Sequence, residues 1–393
     1  MRILHVHSGN LFGGIETMML AMVGNRHLCP ELESSFALCF KSRLAGELLI
    51  LGAPIHDLGE VRIRRVDSIW RARKQLAALL ADERFDVVMT HSAWSQTVFA
   101  PVVRQSGLPL VSYLHGAATG QHWLERLASR TPPDLVIANS RFTASTAKNI
   151  YPDVPCEIIY YPFDTSLKVS GNAEKRLQTR AEFHTGNEET VIIQVSRMEA
   201  WKGHMLHLQA LSRLRHLPGW TCWMVGGAQR PEERRYLEEV KALAVNIGVA
   251  DRIRFSGERI DVPELLASAD IFCQPNLGPE PFGLVFVEAL TAGLPVVTTA
   301  MGGALEIVDD SCGYLTLPGD PESLALALHR LIEHPELRKQ LGSAGPIRTH
   351  KLVDARNQLT QLKECIERSL NLSAVNSGGK VIAGFNSAGV STK

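Results

Sequence analysis

Apolar and polar positions along this chain fall into two kinds of stretch that follow one another in turn. Residues 2–7 read as a strand, and further strand-like runs follow at 35–40, 54–58, 87–91, 110–115 and 135–139. Helical spacing separates several of them, most clearly over 66–81. Apolar strands alternating with helices predict a parallel, doubly wound sheet covered on both faces. The pattern breaks at 159–168, where Tyr160-Tyr161-Pro162-Phe163-Asp164 ends a strand-like run, and 170–189 is charged and poor in large apolar residues. A second series starts at 190–196 and continues through 221–225, 253–256, 271–274, 295–299 and 313–315. The expected fold is α/β: two similar halves facing across a cleft, with ligands beyond the carboxyl ends of the strands. The expected units are 1–168, a connection at 169–189, 190–350, a terminal helix at 351–370 and a flexible tail at 371–393. Leu359, Leu362, Ile366 and Leu370 share one face of that helix.

Composition narrows the function more than the fold. A chain of 393 residues exceeds one compact core, and its zero formal net charge supplies no global field for nucleic acid. Cys29, Cys39, Cys156, Cys222, Cys273, Cys312 and Cys365 lack a C-x-x-C pair, which points to idle thiols in a reducing compartment. No apolar run reaches the length of a membrane span, and residues 1–6 are too short for a signal peptide. We therefore expect a cytoplasmic chain, with the inner face of the membrane as a second location. The basic lead-in of the 66–81 helix, with Arg62, Arg64, Arg65, Arg71, Arg73 and Lys74, reads as a solvated face; weak membrane-surface or anionic-acceptor contact is the alternative.

Candidate chemistry gathers at the turns. In Pro279-Glu280-Pro281-Phe282-Gly283-Leu284-Val285-Phe286-Val287-Glu288, two carboxylates stand eight positions apart, the first in a Pro-rich loop and the second in an apolar run that reads as a helix. A helix beginning near Phe282 puts Glu280 just before its start and Glu288 on it. The N–H groups of Phe282, Gly283 and Leu284 then point out of the helix, with the positive end of its dipole behind them. Glu280 can also be an acid that merely favours a helix start, and Glu288 a solvated residue. Apolar neighbours on both sides of Glu288 call for a reason.

At the first turn, Gly13-Gly14 opens a helix and can cradle phosphate, or is simply tight geometry; neither the G-x-G-x-x-G nor the G-x-x-x-x-G-K-[ST] spacing is present. His91-Ser92 and His115-Gly116 follow strands and face the expected cleft, although a lone His is more often packed or solvated. Ser140, after Asn139, caps the next helix or meets a ligand. In Ser196-Arg197-Met198-Glu199-Ala200-Trp201-Lys202-Gly203, two cations at the mouth of the cleft suit a diphosphate, Arg197 as a fork and Lys202 as a point charge, unless both are ordinary surface cations.

The order Gly13-Gly14, His115-Gly116, Arg197 with Lys202-Gly203, then Glu280 to Glu288 around Phe282-Gly283-Leu284 resembles the family-4 retaining glycosyltransferases of the GT-B fold, from residue 2 to about 370. The resemblance implies two Rossmann-like domains, the first binding an acceptor and the second a nucleotide-sugar donor, with the terminal helix crossing back to the first. It assigns the diphosphate to Arg197 and Lys202, the ribose hydroxyls to Glu288, and the donor sugar to Glu280 beside the N–H groups of Phe282, Gly283 and Leu284. Gly14, next to Gly13, would bring its backbone against the phosphate. His115 would lie near the sugar, and Arg259 and Ile260 would flank the base. Glu306 lies in another stretch similar to the family, where it serves the site or orients a helix start.

The family works without a metal, and the chain contains no Asp-x-Asp pair. Asp309-Asp310 reads as a solvated turn, and His204 and His207 lack an evident third ligand. The expected mechanism is front-face substitution with retention, with UDP as the first choice of nucleotide and GDP the second; the acceptor is a glycan, a lipid-linked sugar or a small molecule. A nucleotide-sugar 2-epimerase, a phosphorylase and a silent sugar-nucleotide-binding protein are the alternatives. Sugar, base, acceptor and oligomeric state are not legible in the residues.

Overall fold

The computed structural model describes residues 1–165 and 173–378, with side chains as far as 369. Two parallel sheets carry the chain. The first has seven strands: β1 Arg2–His7, β2 Glu33–Leu38, β3 Ile55–Asp57, β4 Val87–Thr90, β5 Leu110–Leu114, β6 Leu135–Ala138 and β7 Cys156–Ile158. Its order is β3-β2-β1-β4-β5-β6-β7. The second has six: β8 Thr190–Val195, β9 Trp220–Val225, β10 Ile253–Gly257, β11 Ile271–Gln274, β12 Val296–Thr299 and β13 Gly313–Thr316, in the order β10-β9-β8-β11-β12-β13. In both sheets the strand order reverses next to the first strand, between β1 and β4 and between β8 and β11. A crevice opens at such a point because the two flanking helices lie on opposite faces.

Register fixes which side chains meet. His5 stands opposite Phe36 on one side and Met89 on the other, so Ile3, His5 and His7 share a face. That face is covered by the helix Gly14–Gly24, through Met18, Met19 and Met22, and by the terminal helix Ala355–Gly378, through Leu359, Leu362 and Ile366. Leu4 and Val6 point the other way, into a separate core with Val88, Val98 and Phe99.

Three stretches differ from the sequence reading. The charged connection at 169–189 holds a helix, Ala173–Glu182. Its Arg180 is buried and paired with Asp270 at 2.6 Å, so charge there serves packing against the second sheet. A long helix, Pro335–Val353, precedes the terminal one, and Asp354 breaks between them. The terminal helix continues to Gly378, into the stretch read as tail; the Leu370 side chain and residues 379–393 lie outside the described residues. This helix rests on the first domain, where Arg356 donates to the Leu28 carbonyl (3.2 Å) and Gln358 accepts from the Tyr160 N–H (2.9 Å). Phe163 N–H donates to the Val353 carbonyl (3.0 Å), which ties the two chain crossings together.

Candidate active site

The turn after β8 and the loop after β11 meet at the switch point of the second sheet. Lys202 Nζ lies 2.6 Å from Glu280 Oε2, with side-chain exposures of 13% and 14%. Asn276 Nδ2 donates to the same oxygen at 3.0 Å, which leaves Oε1 without a protein partner among the described residues. The ammonium also sits 3.9 Å from the centroid of the Trp201 ring, and the indole N–H donates to Glu199 (3.0 Å). Arg197 is held by Glu199 at 2.8 Å and Glu233 at 3.5 Å; Glu233 is almost wholly buried and also accepts the N–H groups of Gln229 and Arg230. Both cations are thus pre-oriented by carboxylates, Arg197 as a planar fork and Lys202 as a point charge. Trp201, Asn276, Glu199 and Glu233 were missed as site residues; Glu199 and Trp201 stand inside the run that carries Arg197 and Lys202.

The helix of the Glu280 loop starts at Leu284, two residues later than the sequence suggested. Gly283 caps it at φ +105°, a conformation side chains rarely adopt, and a Cβ there would fall 2.4 Å from the Phe286 ring. Phe282 therefore lies outside the helix, and its ring turns away from the loop, stacked on Tyr160 (5.7 Å between centroids) and edge-on to Tyr161 (5.1 Å). The helix-start N–H groups belong to Gly283, Leu284 and Val285. Glu288, one turn further, is half-buried, and no protein group among the described residues donates to its carboxylate. Burial among its neighbours pushes its carboxyl up to about 7.

The facing ends of the first sheet carry imidazoles. Ser34, His5, His91, His115 and Tyr161 form one hydrogen-bonded row, with steps of 3.2, 2.9, 3.0 and 2.8 Å. Asn139 Nδ2 donates to the Tyr161 oxygen (3.0 Å) and to the His115 carbonyl (3.3 Å). With its oxygen accepting there, Tyr161 donates to His115 Nδ1. His115 Nε2–H then donates to His91, His91 Nε2–H to His5, and His5 Nε2–H to Ser34, so one assignment satisfies every member. Burial lowers His5 to about 3, and burial together with neighbouring imidazoles holds His91 and His115 well below the usual range. Both ring nitrogens of His115 are thus already committed, which narrows the expected sugar contact to its ring faces and backbone. Beside the row, His7 Nε2 meets Glu16 Oε1 at 2.7 Å, and Glu16 Oε2 accepts the Gly13 N–H at 2.9 Å. The expected Gly13 donor is therefore occupied, and Gly14 is the open one. A cavity of about 290 Å³ adjoins, lined among others by Ile15, His91, Ser92, His115, Gly116 and Glu125.

The remaining candidates separate. Arg259 is clamped by Asp261 (2.7 Å) and Glu182, with its guanidinium held further above its usual range by those hydrogen bonds, and Ile260 is exposed. His204 bonds Ser196 and His207 bonds Gln194; among the described residues no group of three His, Cys, Asp or Glu is placed to hold a metal. In the basic lead-in, Arg73 is spent on the Val98 and Thr97 carbonyls, and Arg62 and Arg65 pair with Glu60 and Asp67. Val66 and Trp70 are exposed beside them. No helix among the described residues is long and apolar enough to cross a membrane.

Comparison with known proteins bears on this arrangement. Residues 175–348 match the family described as Glycosyl transferases group 1, and residues 39–167 match Glycosyltransferase Family 4. The chain is 27% identical over 288 residues to a GDP-mannose-dependent alpha-(1-6)-phosphatidylinositol monomannoside mannosyltransferase of Mycolicibacterium smegmatis, covering 69% of this chain and 73% of that protein. It is 32% identical over 167 residues to the lipopolysaccharide core biosynthesis glycosyltransferase LpsE of Rhizobium meliloti, covering 42% of this chain and 46% of LpsE. The crystal structure of Anabaena HepE in complex with UDP and glucose superposes with a TM-score of 0.80 at 25% identity, covering 93% of this chain and 99% of that one. The two sheets are the halves of a GT-B fold, its second half matching the group 1 glycosyl transferases and most of its first half the Glycosyltransferase Family 4 model.

Proposed function

We propose that this chain is a retaining hexosyltransferase that moves a sugar from a nucleoside diphosphate to a glycan, lipid-linked or small-molecule acceptor without a metal. The observation that carries the reading is the Lys202–Glu280 pair at the switch point of the second sheet, with Arg197 beside it. An arriving diphosphate takes over Lys202 and Arg197 from their carboxylates. Glu280, released from Lys202, accepts hydroxyls of the sugar, and Glu288 accepts those of the ribose. The bond between the anomeric carbon and the phosphate oxygen breaks with its electron pair going to the phosphate, where both cations offset the growing charge. The acceptor oxygen attacks the same face, and its proton passes to the departing phosphate, so no carboxylate is required behind the sugar. Gly14 brings its backbone against the phosphate from the facing domain, His115 lies beside the donor sugar, and loops of the first domain hold the acceptor.

UDP is the first choice of nucleotide, supported by the UDP bound in HepE; GDP is the second, supported by the name of the mycobacterial relative. A thermal-shift screen against UDP, GDP, ADP and their sugar conjugates tests the reading, since a ligand of the folded state raises its melting temperature. The expected result is a clear shift with one diphosphate, lost in Glu288→Ala. No shift with any of them would count against it, and consumption of the sugar nucleotide without release of nucleoside diphosphate would point to an epimerase. Peripheral contact with an anionic membrane through Arg64, Arg71, Lys74 and the exposed Trp70 belongs to this proposal, and absence of sedimentation with anionic vesicles at low salt would remove it.

A further inference from the structure

One carboxylate of the second domain grips the backbone of the first. Glu306, on the short helix Ala304–Ile307, accepts the N–H of Arg141 at 3.0 Å and of Phe142 at 3.1 Å, and the Tyr160 hydroxyl at 2.8 Å. Oε2 takes Arg141 and Tyr160, and Oε1 takes Phe142. Those two amides open the helix Arg141–Ala147, whose first N–H groups have no partner within the helix itself. Immediately before them, Ser140 Oγ donates to the carbonyl of Pro281 at 2.5 Å. Pro281 adjoins Glu280.

The segment carrying Glu306 and the Glu280 loop act as one piece. Glu280 pairs with Gly302 as an isolated bridge, and the Gly303 N–H donates to the Glu280 carbonyl at 2.7 Å. The approach is so close that a Cβ on Gly303 would lie 2.5 Å from the Phe282 carbonyl oxygen. Arg348 anchors the far end of the short helix by donating to the Glu306 and Ile307 carbonyls at 2.6 and 3.1 Å. On the first domain, Asn139 precedes Ser140 and donates to the His115 carbonyl and the Tyr161 hydroxyl. An unbroken set of contacts therefore leads from the His115 turn, through Asn139 and Ser140, to Pro281, Glu306 and the Glu280–Lys202 pair.

We propose that Glu306 is a positioning residue for the transfer reaction, setting the distance and angle between the acceptor-side turns of the first domain and the Glu280–Lys202 pair of the second. Its carboxylate is taken up by Arg141, Phe142 and Tyr160, and it acts through them. This rests on the reading of the reaction given above. A glutamine in its place has the same shape, but its NH₂ faces an N–H group or a hydroxyl, and at least one of the three bonds is lost. Donor binding, built from Arg197, Lys202 and Glu288 within the second domain, does not need the clamp.

The test compares wild type, Glu306→Gln and Tyr160→Phe in three measurements. Hydrogen exchange in the peptide holding Arg141 and Phe142 is expected to accelerate about tenfold in Glu306→Gln. Release of UDP from UDP-glucose, or of GDP from GDP-mannose, is expected to fall about tenfold or more in kcat, with the donor KM and the nucleotide dissociation constant changed less than about twofold. Melting temperatures should stay within a few degrees, and Tyr160→Phe, which removes one donor and leaves the two amides, should fall between the others. Unchanged exchange, or a fall in activity matched by an equal loss of nucleotide binding or of folding, overturns the proposal. If Glu306→Gln does not fold, Tyr160→Phe gives the same readouts in milder form. If wild type releases nucleotide from neither donor, the reading of the reaction fails, and the exchange result still decides whether the clamp exists.

Discussion

The two domains share a strand order and present opposite chemistry at the same place. Beyond β8 and β11 stand charges: Arg197 with Glu199 and Glu233, Lys202 with Glu280. Within β1 and just beyond β4 and β5 stand neutral imidazoles that bond one another. Ion pairs with exposed edges can exchange a carboxylate for a phosphate, because the incoming anion replaces what it displaces. A closed row of neutral groups offers no such exchange; it fixes a surface. In this division the second domain handles charge and the first supplies shape and stiffness.

The largest expected break in the comparison comes from removing a charge that does the exchanging. Lys202→Met should lower turnover by about 100-fold to 1,000-fold, the range for losing one preorganised donor to a developing oxyanion. Glu280 keeps its bond from Asn276 and is partly open to water, so the fold should tolerate the change. Kinetics with a saturating donor, alongside a melting curve, check this. A variant that unfolds in step with its loss of activity would make Lys202 a structural residue and dissolve the contrast.

The imidazole row makes the opposite kind of prediction, about pH rather than turnover. Unfolded imidazoles titrate near 6.5, whereas His5 is lowered to about 3 and His91 and His115 lie well below their usual range. Below pH 6.5 the unfolded chain therefore binds protons that the folded one refuses. Stability is lost as pH falls from 6.5 toward 3, by up to about 1.4 kcal/mol per pH unit for each imidazole held neutral. His204 and His207, at about 4 and about 3, act in the same sense in the second domain, but as two groups against three. Hydrogen exchange followed by mass spectrometry over pH 7 to 4 should show peptides of β1, β4 and β5 losing protection before those of β8 and β9. If the second sheet opens first, the row is not what limits the first domain.

The same contrast governs how much could be read from residues alone. The alternation of apolar runs identified twelve of the thirteen strands among the described residues as separate runs, because a buried parallel strand is a local apolar signal. Much of the second site was legible too, since Arg197 and Lys202 share one turn and Glu280 and Glu288 one loop and helix. Their meeting was not, because Lys202 and Glu280 are 78 positions apart and come together only through the β8–β11 neighbourhood. In the first domain, His5 and His91 are 86 positions apart and His91 and His115 24, so each looked solitary. The one local hint was His5 and His7 on the same face of β1. The helix Ala173–Glu182 was hidden because its packing uses Arg180 where an apolar residue would have announced it. The start of the helix at Leu284 was misplaced because the +105° turn at Gly283 depends on how closely Phe286 approaches.

Glu288 gives the smallest effect and the finest test, because it combines the two chemistries: a carboxylate of the charged domain that burial holds partly protonated. Its carboxyl rises from an ordinary 4.5 to about 7. Between those values the folded chain holds the proton more firmly than the unfolded one, so its contribution to stability is present at low pH and declines as pH rises toward 7. Nucleotide binding should run the other way, because only the ionised form accepts from both ribose hydroxyls. The fraction ionised grows about tenfold between pH 6 and 8, and the apparent affinity should follow it. A terminal phosphate itself titrates near about 6, which makes Glu288→Gln the necessary baseline. Calorimetric titrations of both proteins with the nucleotide that the screen selects should show a wild-type advantage that grows with pH. An advantage independent of pH would mean that Glu288 is ionised throughout, and that its apolar neighbours leave it more exposed to water than their packing indicates.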